Sequence, residues 1–127
     1  YLSLGQQLYA DISLNGEGFN FGPRAEQNRT VRELLVDSSK YWNVDHDDAF
    51  TVTGNIPFHE AGLLKLNCDK ALSYLKWQAN LDYKDTIKFT SEWYYDYYQK
   101  NSMFSKTLSQ ISEYESSAKA KKLKWTA

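Results

Sequence analysis

The feature that most constrains this chain is a long helical pattern that carries more aromatic rings than one face can hold. Asp82 with Asp85 opens it, as an aspartate that accepts from the freed amides of a first turn. Thr86, Phe89, Trp93 and Tyr97 then recur at helical spacing, with Ile87, Tyr94 and Tyr98 beside them. The run Trp93-Tyr94-Tyr95-Asp96-Tyr97-Tyr98 invites stacking on bases or sugars, but on a helix its rings spread over three faces. Packing in a core or an interface is therefore the favoured reading. A helix of this kind needs other elements around it. At 127 residues the chain suits one domain, which by area scaling would bury roughly 68% of the surface its unfolded form exposes.

Other elements are marked by their punctuation. Tyr1, Leu4, Leu8 and Ile12 share a helical face that Asn15-Gly16 should close. The chain opens without a methionine in what reads as mid-helix, so it is expected to be a piece of something longer. Phe19 and Phe21 alternate in a strand-like segment stopped by Gly22-Pro23. Thr30 with Glu33 predicts a capping box and a helix carrying Val31, Leu34, Leu35, Ser38 and Trp42. Phe50–Thr53 and Leu63–Asn67 read as further strands, Asp69 as the cap of a short helix, and Thr107 with Gln110 as one more capping box. The four lysines between Lys119 and Trp125 suggest a frayed end. Helices alternating with strands predict an α/β or mixed α+β domain.

Composition excludes several functions. The net charge of -1 argues against a nucleic-acid partner, and no apolar run reaches the length of a membrane span. One cysteine, Cys68, excludes a disulfide framework and suits a cytoplasmic protein. Neither a glycine-rich phosphate loop nor a nucleophile elbow occurs, and His46 among Asp45, Asp47 and Asp48 reads as a solvated acidic loop rather than a metal site. Cys68 reads as a small buried hydrophobe, with no base beside it. No catalytic residue, cofactor ligand or metal ligand is therefore assigned. One constellation remains, His59-Glu60, between a proline turn and an expected strand. The carboxylate can accept both hydroxyls of a ribose and the imidazole can donate to a phosphate or base carbonyl, while a capping pair in a surface loop is the plain alternative.

Several segments also resemble a known family. Phe19-Asn20-Phe21-Gly22-Pro23 is similar to the strand and turn of nucleotide-sugar dehydratases and epimerases in the extended short-chain dehydrogenase/reductase superfamily. His59-Glu60-Ala61, Leu64-Lys65-Leu66-Asn67-Cys68, Lys70-Ala71 and Leu75-Lys76-Trp77 follow in the order of the H-E-A … L-K-L-D-C-S-K-A … L-G-W string of the CDP-glucose 4,6-dehydratase family. Glu92-Trp93-Tyr94, then Met103, Thr107-Leu108, Gln110-Ile111 and Tyr114, resemble its closing helices. Asn67 stands for Asp, Asp69 for Ser, and Lys76 for a Gly expected just past the short helix. Pro57 stands where relatives carry Arg, which puts one phosphate contact in doubt.

The resemblance implies a carboxy-terminal, substrate-side part over residues 1–115, followed by a basic tail over 116–127. His59 and Glu60 would grip CDP-glucose. NAD would be held by an amino-terminal Rossmann part that also carries the catalytic Tyr-x-x-x-Lys pair, absent from this chain. The whole cytoplasmic enzyme, expected to be a homo-oligomer, would oxidise the sugar at C4, eliminate water across C5–C6 and return the hydride to C6. The alternatives are a relative that takes another nucleotide sugar, or an interaction module without catalysis.

Overall fold

The computed structural model describes residues 1–24, 27, 29–54 and 66–126. Its regular elements, among the described residues, are helices only: α1 (Leu2–Ala10), α2 (Val31–Ser39), α3 (Asp69–Leu75), α4 (Tyr83–Tyr98) and α5 (Met103–Ala120), with short 3-10 turns at Ile12–Leu14, His46–Asp48 and Lys124–Thr126. The expected α/β or mixed α+β class is therefore corrected to an all-helical architecture. The reason lies in what the alternating residues bury. Phe19 lies beneath the Lys70 ammonium, 5.1 Å from its ring centre, and Phe21 meets Trp77 edge-on at 5.0 Å. These rings pack against side chains of and beside α3, with Phe21 still 40% exposed, and among the described residues the backbone around them pairs with no neighbour in a ladder. The Asn20 side-chain amide reaches across, donating to the Asn67 carbonyl at 3.3 Å. Phe50–Thr53 likewise forms no regular element and pairs with no strand among the described residues, with Val52 exposed. The first part of the third expected strand lies outside the described residues, and its last two positions, Leu66 and Asn67, are irregular.

Helix starts follow local chemistry. The Thr30 hydroxyl accepts from the Glu33 amide at 3.2 Å while the Glu33 carboxylate accepts from the Thr30 amide at 2.7 Å, completing a capping box. Asp82 accepts from the Asp85 amide at 2.8 Å and opens α4. Two other starts differ from expectation. α5 begins after Ser102, so Thr107 lies inside the helix, where its hydroxyl accepts from the Trp93 indole at 3.0 Å. Asp69 is the first helical residue of α3 and not its cap; Cys68 holds the cap position, and the Asn67 side chain accepts from the Asp69 amide at 2.8 Å. α1 stops at Ala10, earlier than the apolar pattern suggests, because Asp11 turns extended and accepts from the Ser13 amide at 2.9 Å. Gly16 then takes the left-handed conformation, φ 83°.

α2 packs on α4, α4 on α5, and α1 on α3, while the turn at Lys124–Thr126 contacts both α1 and α5. α4 serves two neighbours. Ile87 and Ser91 are buried on one line of it, whereas Tyr97 on the expected stripe is 53% exposed. On the α5 side, Lys106 donates to both Glu92 at 3.0 Å and Asp96 at 3.1 Å, and Gln110 donates to the Phe89 carbonyl at 2.8 Å. Buried Asn80 closes the end of this pair, donating to the Tyr114 carbonyl at 2.8 Å and accepting from Ser117 at 3.3 Å. Lys121 donates to the Asn80 carbonyl, and Trp125 stacks on Tyr114 at 5.8 Å. A small core forms where Leu14, Ala71 and Leu75 meet Leu4, Leu8, Phe19 and Trp77. The chain exposes 10182 Å², well above the ~7,000 Å² that area scaling gives a compact globule of this mass.

Candidate functional site

Three of the segments that carry the family resemblance, around Gly22-Pro23, Asn67-Cys68 and Trp77, meet in one cleft. Its first wall is Gly22-Pro23-Arg24, its second Leu66-Asn67-Cys68-Asp69, and its floor comes from Leu72 of α3 and the Trp77-Gln78-Ala79 segment that follows it. The volume is about 720 Å³, within the range of small-molecule and cofactor sites. Local chemistry explains each wall. Pro23 ends the extended segment, and at Gly22 a Cβ would come within 3.3 Å of the Cys68 sulfur, so glycine lets the two walls approach. Asn67 tightens the turn into α3. At the far end of α3, Lys76 adopts φ 51°, ψ 29°, the left-handed conformation for which the resemblance expects glycine. Its amide and that of Trp77 both donate to the Ala71 carbonyl. This closing turn sends the Trp77 ring back under the cleft, against Phe21 and the core.

The lining is mostly neutral. Among the described residues Arg24 supplies its one cation and Asp69 its one carboxylate, and the two form no ion pair. Arg24 donates through Nη2 to the Gln78 side chain at 2.7 Å, joining residues 54 apart in sequence. Cys68 is half-buried and its sulfur donates to the Leu66 carbonyl at 3.7 Å, with no histidine or carboxylate bonded to it among the described residues. Just outside, Lys70 pairs with Glu17 at 2.5 Å, and that contact holds the Glu17 carboxyl below its usual range.

His59 and Glu60, the expected substrate contacts, lie outside the described residues, as does Pro57. Arg24 and Gln78 were not singled out from sequence; a lone Arg after Gly-Pro has no signature, and its partner is too distant in the chain. His46 pairs with Asp47 at 2.8 Å within its own turn, and no group of metal-ligating side chains forms among the described residues. A second cavity, between α2 and α4, is held by Asp37, which accepts from Lys40 at 2.6 Å and from the Tyr83 hydroxyl at 3.1 Å. The Lys40 bond keeps the Asp37 carboxyl low, against a smaller opposing effect of burial and with help from Tyr83; burial and the Asp37 bond push the Tyr83 hydroxyl up. These groups satisfy one another as a bridge between helices.

The described residues do not fit a dinucleotide. No strand leads through a glycine-rich turn into a helix, and the start of α2 is occupied by its own capping side chain. No hydride-transfer step is assigned to them. No described helix is long and apolar enough to cross a membrane.

No family model matches the chain, and no solved structure does. The chain is similar to CDP-glucose 4,6-dehydratase of Salmonella typhimurium, with 30% identity over 116 residues. The alignment covers 91% of this chain and 32% of the relative, so the chain spans about a third of that protein's length. The resemblance drawn from the ordered motifs is thus borne out.

Proposed function

We propose that this chain is the substrate-binding, carboxy-terminal part of a nucleotide-sugar dehydratase, and that CDP-glucose is its substrate. The observation that supports this reading is the convergence of the motif segments on one cleft. Gly22-Pro23, Asn67-Cys68 and Trp77 come from three separated stretches of the resemblance, and all of them line the same 720 Å³. A relative that acts on CDP-glucose by its name aligns with nearly the whole chain. In this reading the cleft orients the nucleotide sugar, and His59 and Glu60 on the adjoining segment complete the grip. Oxidation at C4 and elimination across C5–C6 belong to a catalytic part that holds NAD, in a cytoplasmic homo-oligomer. The exposed rings of Tyr94, Tyr97 and Tyr98, at 49%, 53% and 64% accessibility, are surface for that part to cover.

The test has two arms. In the first, the chain is mixed with CDP-glucose and NAD, alone and then fused to the portion of the Salmonella enzyme that it does not match. The expected result is a 4-keto-6-deoxy product from the fusion and none from the chain by itself. Turnover by the 127-residue chain alone would refute the reading. In the second, the same fusion is compared on CDP-, UDP-, GDP- and dTDP-glucose. Preference for a nucleotide other than CDP would move the substrate assignment to that sugar.

A further inference from the structure

Arg24 is the one cation on the cleft lining among the described residues, and its charge meets a neutral partner. The bond from Nη2 to the Gln78 amide oxygen uses one of five guanidinium N–H groups and cancels no charge. No carboxylate lies within ion-pair distance of Arg24 among the described residues, and Asp69 on the facing wall makes no pair with it. Lys70, just outside the cleft, is held by Glu17 at 2.5 Å. A guanidinium anchored at one nitrogen, with no other partner among the described residues, has the geometry to donate in parallel to two oxygens of a phosphate. The anchor also removes much of the side-chain freedom that such a contact would otherwise have to freeze.

We infer that Arg24, oriented by Gln78, is the residue that makes this cleft select ligands bearing a phosphate or diphosphate over the corresponding neutral nucleoside. The inference rests on the proposed nucleotide-sugar reading for the identity of the ligand, and on the cleft geometry for the role of Arg24. It places the anion-gripping cation on the wall after Pro23, rather than on the segment that carries His59 and Glu60. Gln78 is a positioning residue here: it touches the guanidinium and not the ligand.

The experiment measures binding of CDP, cytidine and inorganic pyrophosphate to the full chain by calorimetry, in wild type, Arg24→Ala, Arg24→Lys and Gln78→Leu. Arg24 and Gln78 are exposed and outside the core, so the variants keep their fold, which circular dichroism checks. Loss of a charge-assisted pair corresponds to about a tenfold or larger weakening of CDP. That loss is expected in Arg24→Ala with cytidine unchanged, a smaller loss in Arg24→Lys, and one smaller still in Gln78→Leu. Pyrophosphate should compete with CDP in wild type and not in Arg24→Ala. If the bond between Arg24 and Gln78 only ties the walls together, Arg24→Ala and Gln78→Leu will lower the melting temperature alike. They would then leave the ratio of CDP to cytidine affinity unchanged, and the inference falls. CDP binding that ignores Arg24 keeps the nucleotide-sugar reading and overturns this one. Pyrophosphate binding that needs Arg24, without CDP binding, keeps the anion role and overturns the nucleotide reading. Binding of neither overturns the anion role as well.

Discussion

Replacing Lys76 by glycine should stabilise this protein. Lys76 sits at φ 51°, ψ 29°, past the end of α3, where its amide bonds back to the Ala71 carbonyl. For a side chain with a Cβ the left-handed conformation costs roughly 1–2 kcal/mol, and glycine removes that cost. Glycine also loosens the unfolded chain, which offsets roughly 0.4–1 kcal/mol of the gain. The Lys76 side chain forms no ion pair or hydrogen bond among the described residues, so little else is lost. The net expectation is a gain of about 0.5–1 kcal/mol, a rise of roughly 2–6 °C in melting temperature for a chain of this size. Urea denaturation of wild type, Lys76→Gly, Lys76→Asn and Lys76→Ala separates backbone from charge. Asparagine should capture part of the gain, since it tolerates this conformation, and alanine none. The closing turn aims Trp77 at Phe21, so the gain should come with unchanged tryptophan emission. A Lys76→Gly variant no more stable than Lys76→Ala would refute the reasoning, because the two differ at this position only in what φ above zero allows.

Two further outcomes follow from the packing of α4 and α5. Asn80→Ala removes the bonds to the Tyr114 carbonyl and the Ser117 hydroxyl at a site only 4% exposed, and should cost about 2–3 kcal/mol in chemical denaturation; a loss below about half of that would place the clasp outside the cooperative unit. Stability should also show two limbs against pH. The Asp96 carboxyl is held low first by the Asn101 amide and then by Lys106, so its contribution is present above the unfolded carboxylate range and fades as pH falls through the depressed value. Burial works against the Lys106 charge, but its bonds to Glu92 and Asp96 together hold the ammonium above the usual lysine range. That contribution is present below the unfolded lysine value, about 10.4, and is lost as pH rises through the raised one. Lys106→Met should flatten the alkaline limb in a pH series of denaturation curves, and an unchanged limb would remove Lys106 from the account.

What the sequence revealed divides along the range of the interactions involved. Capping boxes and aspartate caps are settled within four residues, so the starts of α2 and α4 were legible from Thr30, Glu33, Asp82 and Asp85 alone. The same short pattern misled at Thr107, because a hydroxyl three residues before a glutamine looks identical whether it caps a helix or lies inside one. There it is decided by the Trp93 indole, 14 residues away. The stripe on α4 failed for a related reason. Ser91 is buried although polar and Tyr97 exposed although aromatic, because a helix packed by α2 on one side and α5 on another buries small residues at close approaches and leaves large ones at its rim. Strand patterns around Phe19 and Phe50 described faces that need cover, and alternation alone cannot say whether a second strand or a helix provides it. The cleft shows both limits at once. Its glycine, asparagine and tryptophan positions were visible as an ordered string of motifs, while the charge that faces into it depends on a bond between residues 24 and 78. Side chains that far apart carry no mutual signal in one sequence; their meeting is a consequence of Gly22 admitting the Cys68 sulfur at the wall and of Lys76 turning Trp77 and Gln78 back toward Pro23.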